Sequence, residues 1–279
     1  MSIELPEARI FAEQMEEALP GKIIESIDTQ DMGRMLGLGV GKEHLFDFGS
    51  VVGRTVEAVT ASGNTIRVKL SGAFNIVHGP EYGGRIRLIQ PGEKVPKYHL
   101  KLEFSDGSLL SMRNTGMGVI YALKEEHLPE SYLYKRDFLG GLSPTDPEFT
   151  YDKFKMLVGE ENRQLKPLLV GKEAFITGIS NAIFQDVLFR AKVHPKTKAS
   201  GLTEEQLKGI YDGIQTVITQ RLELRGKAKF TDLFGKPGGY VATMGPNYRD
   251  RECPNCGTPI KKLAHGGGHV YMCPSCQVE

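Results

Sequence analysis

Four cysteines, Cys253, Cys256, Cys273 and Cys276, make up the chain's whole cysteine complement and fall within its last 27 residues. They form two C-x2-C pairs separated by 16 residues. Two such knuckles can bring four thiolates around one tetrahedral zinc ion at about 2.3 Å each, and Pro254, Gly257 and Pro274 suit the tight turns that knuckles need. The competing arrangement is a pair of disulfides. The sequence opens Met1-Ser2-Ile3-Glu4, without a basic segment leading into an apolar one, so a cytoplasmic location with reduced thiols is expected. One structural zinc in a small finger is therefore the expectation, because four thiolates leave no open coordination position for catalysis. His265 and His269, in the intervening Ala-His-Gly-Gly-Gly-His run, could stand in as ligands.

The elements that would position other reactive side chains change character along the chain. Residues 4 to 19 read as a helix, with Pro6 near its first position, Glu4 and Glu7 in its first turn, and Ala8, Phe11, Met15 and Leu19 on one face. Pro20-Gly21 ends it. From there to about residue 123 the pattern is that of strands, clearest where Leu100, Leu102 and Phe104 alternate with Lys101 and Glu103 up to a turn at Asp106-Gly107. Past about residue 140 helical spacing takes over. Thr203 and Gln206 make a capping box ahead of the stripe Leu207, Ile210, Tyr211, Ile214, Val217, Ile218 and Leu222, and Gly178 to Ile183 opens another helix ending near His194-Pro195. Glycines 37, 39 and 41 before Lys42 lack the spacing of a phosphate loop, and Glu43 stands where a magnesium-binding hydroxyl belongs.

Composition bounds the rest. The chain of 279 residues is 40% hydrophobic and 25% charged, which suits a folded globular protein of about two domains and excludes collagen-like and low-complexity classes. No run approaches the roughly 18 apolar residues of a membrane span. The net charge of +1 conceals a polarity: from Arg190 onward there are 14 Lys and Arg against 8 Asp and Glu, and before it 21 against 26. Such a basic C-terminal part fits a nucleic-acid face as well as it fits solvated lysines.

Taken together, a leading helix beginning Glu4-Leu5-Pro6-Glu7, a β domain, a helical domain and a terminal four-cysteine finger resemble the formamidopyrimidine-DNA glycosylase and endonuclease VIII family of DNA repair enzymes. Further echoes are Leu70-Ser71-Gly72 after a strand, Gly178-Ile179-Ser180-Asn181, Val193-His194-Pro195, Gly235-Lys236-Pro237-Gly238 and Cys253-Pro254-x-Cys256-Gly257. The resemblance implies an α+β protein with a β-sandwich domain over residues 1–138, a helix-two-turn-helix DNA-binding domain over 139–250 and a zinc finger over 251–279. It implies a nucleoid-associated monomer acting on double-stranded DNA that contains a damaged base or an abasic site, with no membrane partner. In such enzymes the lesion is flipped out and inserted side chains fill the gap. At matching positions Leu70 would be a wedge, Met117 a second one, Arg54 and Asn181 would meet the phosphates beside the lesion, and His269 would stand at the finger's hairpin tip. Core packing for Leu70 and helix capping for Asn181 are the competing roles.

The departures bear on chemistry. The family's bifunctional members carry an N-terminal proline whose secondary amine attacks C1′ of the damaged nucleotide, and Ile3 occupies that place here. A peptide nitrogen cannot form a Schiff base; only a terminal amine or a desolvated lysine can do so near neutral pH. Removal of Met1 would give Ser2 a primary amine one residue further out. Glu4 is retained; the resemblance implies a carboxylate that works in proton transfer and that, without the proline, could activate water, and favouring the helix dipole is its competing role. The void-filling Arg-Arg-Phe-Gly segment is replaced by Thr115-Gly116-Met117-Gly118, the finger arginine by Gly266-Gly267-Gly268-His269, and the segment Leu224 to Phe234 is short where relatives carry a lesion-capping loop. The expectation is a DNA glycosylase with weak or altered lyase activity. The alternatives are an inactive binder of abasic or distorted DNA and, more remotely, an RNA-binding zinc ribbon.

Overall fold

A computed structural model of the chain describes residues 3–32, 41–79, 82–115 and 118–278. It divides into two compact units, residues 1–140 with 225–239, and residues 141–224 with 240–279. No helix among the described residues is long and apolar enough to cross a membrane.

In the first unit, helix α1 (Leu5–Ala18) starts where the sequence signals place it. Glu4 is its N-cap in an extended backbone conformation, and Pro6 lies in the first turn, where its missing N–H costs nothing. The residues on its inner face, Ile10, Phe11, Met15 and the following Leu19, are fully buried. Two four-stranded antiparallel sheets form the sandwich. One has the order β1-β6-β7-β5, built from Ile24–Thr29, Leu100–Phe104, Leu109–Thr115 and Tyr82–Ile89. The other has the order β2-β3-β4-β8, built from Val56–Ser62, Thr65–Leu70, Phe74–Gly79 and Val119–Lys124. The alternation read at Leu100, Leu102 and Phe104 is realised as three buried residues separated by two half-buried ones, the pattern of a strand with one face in the core. Strand β4 is buried along its whole length and brings polar Asn75 and His78 inside with it. A short helix, α2 (Tyr132–Asp137), closes this part.

The second unit is helical: α3 (Tyr151–Val158), α4 (Leu165–Leu169), α5 (Asn181–Arg190) and α6 (Glu204–Glu223). The Thr203 and Gln206 capping box forms as the sequence predicts, with Thr203 Oγ1 accepting the Gln206 N–H at 3.1 Å and Gln206 Oε1 accepting the Thr203 N–H at 3.0 Å. Helices α5 and α6 pack closely because Gly213 has no side chain: a Cβ there would lie 3.2 Å from Val187 Cγ1. Asp186 is wholly buried on α5 and accepts from the Tyr240 hydroxyl at 2.5 Å and the Thr243 N–H at 3.0 Å, so its charge is taken up by donors. The hairpin β9 (Lys261–His265) and β10 (Gly268–Met272) completes the unit.

Candidate functional site

Three charged side chains meet at the start of α1. Glu4 and Glu7 are both fully buried, which is costly for carboxylates unless donors and cations compensate. A reciprocal capping box supplies the donors: each side chain accepts the other's backbone N–H, with Glu4 N to Glu7 Oε2 at 3.2 Å. The compensating cation is Lys227. Its Nζ lies 3.6 Å from Glu4 Oε2 and 3.8 Å from Glu7 Oε2, and its backbone N–H donates to Glu7 Oε1 at 3.2 Å.

Lys227 reaches this place because residues 225–239 leave the helical run and fold onto α1. Gln14 fastens the segment from both ends of its amide, donating to Asp232 Oδ2 at 2.8 Å and accepting the Leu233 N–H at 3.0 Å. The Phe11 and Phe230 rings meet edge to face at 4.9 Å. Gly226 has a positive φ of 95°, and the backbone of Gly238 comes so close that a Cβ there would lie 2.3 Å from the Gly226 carbonyl oxygen. Lys227 is thus held by a packed loop rather than an open one.

Among the other expected site residues of this unit, Ile3 is buried, and its carbonyl accepts from Asn64 Nδ2 at 3.4 Å. Arg54 lies across the turn between β3 and β4, donating to Ser71 O at 2.6 Å with its guanidinium 4.5 Å above the Phe74 ring. Leu70, opposite Phe74 in that hairpin, is fully buried. Ser2 and Met117 lie outside the described residues. The strand before Met117 is anchored by Asn114, whose Oδ1 is 2.6 Å from His78 Nε2 and whose N–H donates to His99 Nδ1 at 3.0 Å. Burial pushes the His78 imidazole down to about 4, so at neutral pH it is uncharged and donates its proton to Asn114.

The second unit gathers the four cysteines. The sulfurs of Cys253 and Cys276 lie 3.8 Å apart, and Cys256 Sγ is 3.5 Å from those of Cys273 and Cys276. A regular tetrahedron of Zn–S bonds has edges of about 3.8 Å, so the cluster suits one zinc. The knuckle amides of Asn255 and Cys276 point at Cys253 and Cys273 sulfurs, both at 3.4 Å, as thiolate ligands require. The chain's cofactor is one structural zinc.

The finger is docked on α5. Phe189, Met244, Cys253, Tyr271 and Cys273 form one buried cluster, Gln185 Oε1 accepts the Tyr271 N–H at 3.0 Å, and Gln277 Nε2 donates to Val193 O at 2.9 Å. This places the hairpin tip against Asn181, the first residue of α5. Gly266 and Gly267 make the two-residue turn with φ of 50° and 75°, and a Cβ on Gly268 would lie 2.7 Å from Asn181 Nδ2. Beneath the tip, buried Lys166 donates from Nζ to the His265 carbonyl at 2.6 Å, and its burial lowers its pKa. His269 is exposed beside the turn. Asn181, His269 and the glycine tip are therefore brought together on one surface.

A family model described as the formamidopyrimidine-DNA glycosylase H2TH domain matches residues 140–232. A second, described as the zinc finger found in FPG and IleRS, matches residues 252–278. Along nearly its whole length the chain is 26% identical to the formamidopyrimidine-DNA glycosylase of Listeria innocua, covering 98% of this chain and 99% of that one. It is similar in fold to a Lactococcus lactis Fpg in complex with abasic-site DNA, with a TM-score of 0.81 at 23% identity over 99% of this chain and 100% of that one. The H2TH domain and the zinc finger of the formamidopyrimidine-DNA glycosylases are thus both matched in this chain, within a fold like that of those enzymes. The Thermus thermophilus MutM (Fpg) protein has the same fold, with a TM-score of 0.82 at 23% identity over 98% of both chains.

Within this family frame, two participants escaped sequence reasoning. Glu7 reads as an ordinary first-turn carboxylate but is buried beside Glu4. Lys227 is one of several basic residues in Arg225-Gly226-Lys227-Ala228-Lys229, and only the three-dimensional fold singles it out. The one pointer in the sequence was chemical: with Ile3 in the proline's place, a desolvated lysine was the remaining side-chain amine to look for.

Proposed function

We propose that the protein is a base excision repair glycosylase that binds duplex DNA carrying a damaged or modified base and breaks the N-glycosidic bond. The observation that carries this reading is the placement of Glu4. It is a fully buried carboxylate at the N-terminus of α1, directly after the residue that stands where the family has its nucleophile, with an amine 3.6 Å away. A carboxylate in that position can exchange a proton with the departing base or with an attacking nucleophile. Asn181 at the start of α5 and the adjacent tip bearing His269 supply phosphate contacts, since backbone N–H groups at a helix N-terminus suit anions. Arg54 adds a cation on the β unit, and the zinc holds the finger that presents the tip.

A second reading, a binder that shields abasic or distorted DNA without turnover, is favoured by one feature: the nitrogen of Ile3 is an ordinary amide and carries no nucleophilic lone pair. The test is incubation of the purified protein with duplexes carrying dihydrouracil, oxidised guanine or a bulky alkylated base, with base release scored separately from strand cleavage. Release from at least one duplex supports the glycosylase. Selective binding to an abasic duplex with no release from any would establish the binder.

A further inference from the structure

We infer that Lys227 is the amine that attacks C1′ in this chain, taking the role that the family gives to its N-terminal proline; this rests on the glycosylase reading above. The proline amine belongs to the residue immediately before Glu4, and that residue here is Ile3, buried and without a basic nitrogen. The Lys227 ammonium stands 3.6 Å from the Glu4 carboxylate, so an amine is restored beside the same acid by a segment more than two hundred residues away. Lys227 is nearly buried and held in place by its loop, with the Glu4 carboxylate near enough to take a proton from its Nζ. Arginine keeps a positive charge for the two carboxylates but cannot form an imine, so Lys227→Arg separates charge neutralisation from attack on C1′.

The step balances on an abasic site. Lys227 passes one proton to Glu4, and the freed nitrogen lone pair forms a bond to the aldehyde carbon C1′. The resulting carbinolamine loses its hydroxyl as water, which takes the proton back from Glu4, and leaves a protonated imine between Nζ and C1′. Water then accepts a proton from C2′ as the C3′–O bond breaks and the 3′ phosphate leaves, and a second water hydrolyses the imine to release the Lys227 amine. Glu7, 3.8 Å from Nζ, keeps a negative charge beside the cationic imine.

The experiment is borohydride trapping on duplex DNA with a preformed abasic site, using wild-type protein, a chain with its N-terminus extended, and Lys227→Arg, followed by peptide mapping of the adduct. The expected result is a covalent adduct in the wild-type and extended chains that maps to Lys227 and is lost in Lys227→Arg, while that variant unfolds at the wild-type temperature. If Lys227→Arg fails to fold, mapping of the wild-type adduct decides. An adduct at the N-terminal amine, or one that persists in Lys227→Arg, overturns the inference. Base release from the lesion duplexes of the preceding test, with no adduct on the abasic duplex, overturns it as well and leaves the glycosylase standing, whereas absence of both adduct and release overturns the two together.

Discussion

Lowering the pH from 7.5 to 5.0 destabilises the protein by about 2 kcal/mol through His78 alone. The imidazole is wholly buried in β4, and burial, only partly offset by its hydrogen bond to Asn114, brings it from 6.5 down to about 4 in the folded chain. The unfolded chain therefore binds more protons than the folded one between these values. The stabilisation is fully present above the unfolded value and is lost as pH falls through the window towards 4. At about 1.36 kcal/mol per unit, the fall to pH 5.0 costs about 2 kcal/mol, and nearly the whole effect lies below pH 7. Protonation also strikes a particular place, because His78 and His99 both hold Asn114 at the end of the strand that leads into Thr115 to Gly118. Urea unfolding of wild type and His78→Gln at both pH values isolates the contribution, since the zinc thiolates and all other groups are common to the two chains. The wild type should lose about 2 kcal/mol more than the variant on acidification. Equal losses in the two chains would refute the assignment of a neutral, buried His78.

The finger and its docking give two further expectations. Cys256→Ser should take the zinc content from one per chain to none and, by releasing the Gln185 and Gln277 contacts that seat the finger on α5, weaken DNA binding by about tenfold or more, checked by metal analysis and a binding titration. Gly268→Ala should push the Asn181 amide from its place, because the added Cβ would lie 2.7 Å from Nδ2. Thermal unfolding should then stay within about 1 kcal/mol of wild type while DNA affinity falls as it does in Asn181→Ala; unchanged affinity would remove Asn181 from the interface.

Local signals in the sequence were legible wherever a residue's role depends on its neighbours in the chain. Pro6 with two first-turn glutamates marked the start of α1, Thr203 and Gln206 marked that of α6, and alternation marked β6. The cysteine spacing likewise carried the zinc site, since each knuckle is a local turn and only one closure between the two is needed. What stayed hidden depends on distant closure. The approach of Lys227 to Glu4 requires residues 225–239 to leave the helical run and pack on α1 through Gln14 and Phe11, and no period or spacing encodes such a detour. The same holds for Gln185, whose amide on α5 receives a finger strand 86 residues away. Leu70 shows the converse: its neighbours Ser71 and Gly72 carry the family resemblance, while its burial opposite Phe74 is set by strand pairing and became visible only in the fold.

In the proposed reaction, bond cleavage takes place at the buried carboxylate that opens α1. Single-turnover base release by wild type and Glu4→Gln, on whichever lesion duplex the wild type processes, tests it most directly, with DNA binding and thermal unfolding measured on the same samples. Glutamine keeps the shape of the side chain and an oxygen for the Glu7 N–H but cannot exchange a proton. The release rate is expected to fall by about 10² to 10⁴ while the variant remains folded and binds the duplex. Release at the wild-type rate by a folded Glu4→Gln protein would contradict it.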